Sequence, residues 1–130
     1  MLFYDILLKK KGDTMPKIKI KYTVNSNTIY DDESYSDSKT TDAILENNKL
    51  KYKENDTTVI FDYLDKTLRR FNDQLDMLHD FNNKQSTVHI LSLGRDIKEN
   101  INIDDYQVDN NIYIKYKLND IQIEYKIEVK

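Results

Sequence analysis

Near both ends of the chain, apolar and polar residues alternate with a period of two. In NIYIKYKLNDIQIEYKIEV (111–129), Ile112, Ile114, Tyr116 and Leu118 alternate with Tyr113, Lys115 and Lys117. After Asn119-Asp120 the alternation resumes with Ile121, Ile123, Tyr125, Ile127 and Val129. Successive side chains on a strand point to opposite faces, so each run reads as a strand with one buried side. A two-residue turn at Asn119-Asp120 sets Leu118 opposite Ile121 and brings both apolar rows to one face. Asn and Asp suit that turn because they tolerate positive φ. KIKIKYTV (17–24) follows the same pattern, with Ile18, Ile20, Tyr22 and Val24 on one side and Lys17, Lys19 and Lys21 on the other; Asn25-Ser26-Asn27 then reads as a strand break.

Between these ends, turn-forming residues recur at Asn47-Asn48, Asn55-Asp56, Asp65-Lys66, Asn72-Asp73, Asn82-Asn83, Gly94, Asp104-Asp105 and Asn110-Asn111. Most of these steps have the spacing of a strand meander in a barrel or sandwich. DDESYSDSKTTD (31–42) has no apolar period and reads as an exposed loop. The stretch 61–81, FDYLDKTLRRFNDQLDMLHDF, supports two readings. Phe61, Leu64, Leu68, Phe71, Leu75 and Leu78 fall at the three- and four-residue steps of a helix face, whereas Asn72-Asp73 sits where a turn between strands belongs. A helix over about 58–82 would hold Thr58, Val59, Ile60, Asn72 and Asp73, each costing up to about 0.7 kcal/mol relative to Ala. The pattern alone leaves open an all-β meander and an α+β fold with a sheet and that one helix.

Between Asp65 and Gly94 the chain carries Leu68 and Arg70, Met77 and Phe81 as an M-x-x-x-F element, Ser86-Thr87-Val88 and Ser92-Leu93-Gly94. In these residues the stretch resembles the YwiB-like family of small bacterial β-barrels, a calycin-like domain of unknown function. Downstream, IYIKYKL (112–118) is similar to that family's penultimate strand, and NNKLKYKE (47–54) to an early one. Asn and Asp stand where the family has turn glycines, and the segment after Gly94 is shortened. The resemblance spans most of the chain from Met15 onward. It implies an all-β, antiparallel up-and-down meander closed into a calycin- or lipocalin-like barrel, with 61–81 as strand–turn–strand. It brings no catalytic residues.

Length and composition agree with one such domain over 15–130. A chain of 130 residues buries roughly two-thirds of its unfolded surface, enough for one core without staples. It has no cysteine, which excludes disulfides and thiol chemistry and fits the cytoplasm. A net charge of −3 gives no global attraction to nucleic acid or anionic membranes. No stretch is apolar enough for a membrane-spanning helix. Lys11-Gly12-Asp13 can be encoded by AAA-GGA-GAT, a bacterial ribosome-binding sequence, so translation is expected to start at Met15, with 1–14 outside the fold.

Two glycines in 130 residues leave no phosphate-cradling loop, and no nucleophile elbow or dinucleotide motif is present. Nothing nominates an acid–base pair, a cofactor or a metal centre, so an enzyme is not called for. His79 alternates with Met77 and Phe81 and is expected to point inward; neither it nor His89 has metal-ligand spacing. Arg70 shares a side with Leu68. Inside a barrel its guanidinium fork can anchor a polar ligand; at the rim it would simply pair with an acidic neighbour. Tyr22, Tyr52, Tyr116 and Tyr125 lie on inward rows, where their hydroxyls need partners. Arg70, His79, Tyr116 and Tyr125 are therefore the candidate ligand-binding residues, for a small amphipathic molecule inside a monomeric or homodimeric barrel. The alternative is an interaction or regulatory domain acting through an open edge or the acidic 31–42 segment. Lysine–tyrosine runs such as KIKIKY and IYIKYK raise single-strand nucleic-acid binding as a weaker alternative, because Lys115 and Lys117 share their face with Tyr113 alone.

Overall fold

A computed structural model describes residues 17–28, 33–91 and 97–130. Ten strands follow in chain order: β1 (Lys17–Thr28), β2 (Ser34–Glu46), β3 (Lys49–Glu54), β4 (Thr57–Asp62), β5 (Thr67–Phe71), β6 (Leu75–Asp80), β7 (Gln85–Ile90), β8 (Ile97–Val108), β9 (Ile112–Leu118) and β10 (Ile121–Val129). Each is antiparallel to the next, and β10 returns to β1, which closes an up-and-down barrel. The sheet closed on itself leaves few unpaired edges. Among the described residues no helix is long and apolar enough to cross a membrane.

The stretch 61–81 is strand–turn–strand, and the helical alternative over 58–82 is overturned. Leu68 and Phe61 face each other across β4 and β5, fully buried, as do Leu68 and His79 across β5 and β6. Leu78, which the helical spacing had grouped with them, points outward and is 39% exposed. The Asn72 side chain holds the turn by accepting from the main-chain N–H groups of Gln74 and Leu75 at 2.8 and 3.0 Å. The β9–β10 hairpin has the expected register, with Leu118 opposite Ile121. Left-handed φ angles fall at Asn47, Asn48, Asn55 and Asn119, where the short turns require them and Asn tolerates them.

Three sequence expectations are corrected. Asn25-Ser26-Asn27 does not break β1, because those residues pair on both sides, with Glu124–Gln122 of β10 and Ser36–Ser34 of β2. The acidic segment expected to be a loop is strand from Ser34 onward. Its ladder with β1 supplies the main-chain hydrogen bonds, while its polar side chains stay largely in solvent. Asp104-Asp105 is no turn: β8 runs through it with an irregular register between Ile103 and Asp105. Such a bulge resets the alternation, so Ile103 and Tyr106, three residues apart, both pair with inward residues of β9. Gly94 and residues 1–14 lie outside the described residues.

The inner rows form the core. Ile20, Leu45, Leu50, Phe61, Leu68, Ile112, Ile114 and Ile127 are wholly buried, each such side chain contributing about 1.5–3 kcal/mol by leaving water. Phe61, Tyr63, Phe81 and Tyr106 form an aromatic layer near the turns at 63–66 and 81–84, with centroid separations of 4.6, 6.0 and 5.5 Å along the series Tyr63–Phe61–Phe81–Tyr106.

Candidate functional site

Glu54 ends the inward row Leu50, Tyr52, Glu54 of β3, and Arg70 sits two strands away on the inward row of β5. The register through β4 brings them together: Arg70 Nη2 donates to Glu54 Oε1 at 2.8 Å, with the two side chains 16% and 15% exposed. Arg70 is thus inside the barrel and paired with an acid, which joins two readings that the sequence had set apart. Its guanidinium carbon lies 4.3 Å from the centre of the Tyr125 ring, a cation–π contact.

Tyr125 Oη donates to Glu54 Oε2 at 2.8 Å. A hydroxyl has one proton, so in the contact between the Tyr52 and Tyr125 hydroxyls Tyr52 is the donor. The relay runs from Tyr52 to Tyr125 to the Glu54 carboxylate, which the Arg70 guanidinium holds from its other side. Tyr22 stacks on Tyr52 with ring centres 5.6 Å apart. Burial raises the pKa of Tyr52, Tyr116 and Tyr125, keeping all three phenols protonated as donors. Burial alone would weaken the Arg70 charge, but the Tyr125, Glu54, Tyr116 and Tyr52 oxygens outweigh it and its pKa is raised.

His79 lies deeper, with no exposed surface. Its Nδ1 is 2.5 Å from Ser86 Oγ on β7, and its ring centre is 4.8 Å from that of Tyr116. Burial first, and the Arg70 charge second, pull its pKa down to about 3, so the imidazole is neutral. His89 is on the outer side of the wall, in register with Asp76. The wall separates the two histidines, and among the described residues no group of His, Cys, Asp and Glu is placed to hold a metal ion.

The four candidate residues therefore belong to one buried cluster, joined by three that sequence reading did not nominate: Glu54, Tyr52 and Ser86. Strand alternation had put Tyr52 on an inward row, and the same row continued by two residues would have reached Glu54. Two buried nitrogens of the cluster, Arg70 Nε and His79 Nε2, have no hydrogen-bond partner.

The solved structure of the YwiB protein from Bacillus subtilis matches this barrel with a TM-score of 0.56 at 15% sequence identity, over 89% of this chain and 95% of that one. The chain has the YwiB fold. The resemblance read in the sequence is borne out at that level, as is the all-β barrel. No protein-family model matches the chain, and no curated protein matches it.

Proposed function

We propose that this small β-barrel binds a small amphipathic molecule in its interior, at the Arg70–His79 cluster. The observation that carries this reading is the pair of unpartnered nitrogens, Arg70 Nε and His79 Nε2, in an interior whose other polar groups are largely bonded. A buried polar group without a partner costs about 1–3 kcal/mol, so a bound group that supplies the partner is favoured by that amount. Arg70 and Glu54 keep about a sixth of their side-chain surface in solvent, so the cluster meets solvent at that pair, while His79 has no exposed surface. Because Glu54 already neutralises Arg70, the fitting ligand is uncharged: a carbonyl oxygen for Arg70 Nε, and an apolar ring among the tyrosines.

Saturation-transfer NMR with phenylacetamide and phenylacetate at equal concentration tests this chemistry. The amide is expected to receive saturation from the protein at least threefold more strongly than the carboxylate. The signal is expected to vanish in the Glu54→Gln/Arg70→Met protein, which removes both charges together. Equal signals from the two compounds, or a signal unchanged in the double variant, would reject the site.

A further inference from the structure

The barrel closes between β2 and β3 through three residue pairs only, Ile44–Glu46 with Lys51–Lys49. From Ala43 back to Ser34, β2 pairs with β1 alone in an unbroken register. The Thr28 N–H donates to the Glu33 carbonyl at 2.9 Å, and hydrogen-bonded pairs alternate with non-bonded ones along such a ladder. Tyr35, Asp37, Lys39 and Thr41 therefore direct their main-chain groups to β1. Ser34, Ser36, Ser38 and Thr40 direct theirs away from it, where among the described residues no strand pairs with them. The Ser36 hydroxyl donates to Asn25 Oδ1 at 2.6 Å, and the Ser38 and Thr23 hydroxyls are 3.2 Å apart, so β2 is held on β1 as a formed strand.

A regular edge with no proline and no bulge is a template for another strand. Its one lysine, Lys39, would ordinarily discourage pairing, but Asp37 precedes it on the same side of the strand. When two copies of this edge meet antiparallel, their outward-directed residues must face each other, which pairs even-numbered positions with even-numbered ones. Registers centred on Asp37 or on Lys39 set like charges together. The register centred on Ser38 sets Asp37 of each copy opposite Lys39 of the other, and Ser36 opposite Thr40. It also sets Tyr35, 61% exposed in the single chain, opposite Thr41. Asp37 and Lys39 then form non-hydrogen-bonded pairs, the kind whose side chains approach most closely.

We infer that the free edge of β2 is the docking site for a second copy of this chain. The two copies pair antiparallel through Ser36–Thr40 about a two-fold axis at Ser38, with Asp37 and Lys39 as reciprocal cross-strand ion pairs. Main-chain hydrogen bonds supply affinity, and the Asp37–Lys39 pairs fix the register. Such an interface is isologous and closes on itself, so association stops at the dimer. The inference does not rest on the interior ligand, because it uses a strand edge that contains no residue of the Arg70–His79 cluster.

Sedimentation equilibrium of the full chain tests it, with a dimer expected at tens of micromolar. Asp37→Lys and Lys39→Asp each turn both reciprocal pairs into like charges and are expected to weaken dimerisation at least tenfold. An equimolar mixture of these two single variants is expected to associate as the unchanged protein does, because opposite charges face each other again in the mixed dimer. Ser38→Pro removes an N–H directed away from β1 and is expected to leave a monomer with an unchanged circular dichroism spectrum. If that variant does not fold, the two charge reversals carry the test. A monomeric full chain at that concentration would overturn the proposal, as would a dimer that both reversals leave unchanged. Weakening by each reversal without recovery in the mixture would overturn the Ser38-centred register and with it the proposed interface.

Discussion

Replacing Arg70 by Met is expected to lower the unfolding free energy by about 3–5 kcal/mol, because Glu54 then loses the cation that compensates its largely buried carboxylate. For a chain of this size that is roughly a 10–20 °C fall in Tm. Glu54→Gln should be costly as well, leaving the guanidinium over Tyr125 without its counter-charge. The double variant is expected to recover most of the loss, since it leaves neither charge behind. Urea unfolding of the four proteins gives the coupling energy directly. Single-variant costs that simply add, with no recovery in the double variant, would mean that the pair is not coupled as its 2.8 Å contact implies.

Acidification tests the other half of the cluster. His79 has a folded-state pKa pulled down to about 3 from an ordinary value of 6.5. Between those values the unfolded chain binds a proton that the folded chain does not, so stability is full above pH 6.5 and falls as pH drops towards 3. About 2–3 kcal/mol is expected to be lost between pH 6.5 and pH 4.5 from this residue alone. The lowered carboxylates Asp42, Asp76 and Asp109 begin from 3.8 and act below this window. His79→Leu should flatten the curve between pH 4.5 and 6.5, whatever its own cost from leaving Ser86 Oγ unpaired. Urea unfolding across that range measures it, and an equally steep curve in the variant would place the titration elsewhere.

The alternation of the chain made the barrel's inner surface legible residue by residue. Ile112, Ile114, Tyr116, Tyr125 and Ile127 all face inward as their spacing requires, and Arg70 and His79 follow the same rule from β5 and β6. What alternation cannot supply is the identity of neighbours across strands. Glu54 meets Arg70 only because β4 sets β3 and β5 in one register, and Ser86 meets His79 only through the β6–β7 pairing. The polar N-terminal half of β2 was illegible for a different reason. Its structure comes from main-chain bonds to β1, while its mostly exposed side chains carry no apolar period for a sequence pattern to register. In 61–81 two periods coexisted because outward residues such as Leu64 and Leu78 are apolar, and only the cross-strand pairing separates them.

Interior binding is tested most directly by native mass spectrometry of the protein purified from its own host, comparing folded with denatured masses. The proposed function predicts a discrete excess mass that is lost on denaturation and absent from the Glu54→Gln/Arg70→Met protein. A folded protein of bare polypeptide mass would contradict it and leave the Arg70–His79 cluster as a structural element of a filled barrel.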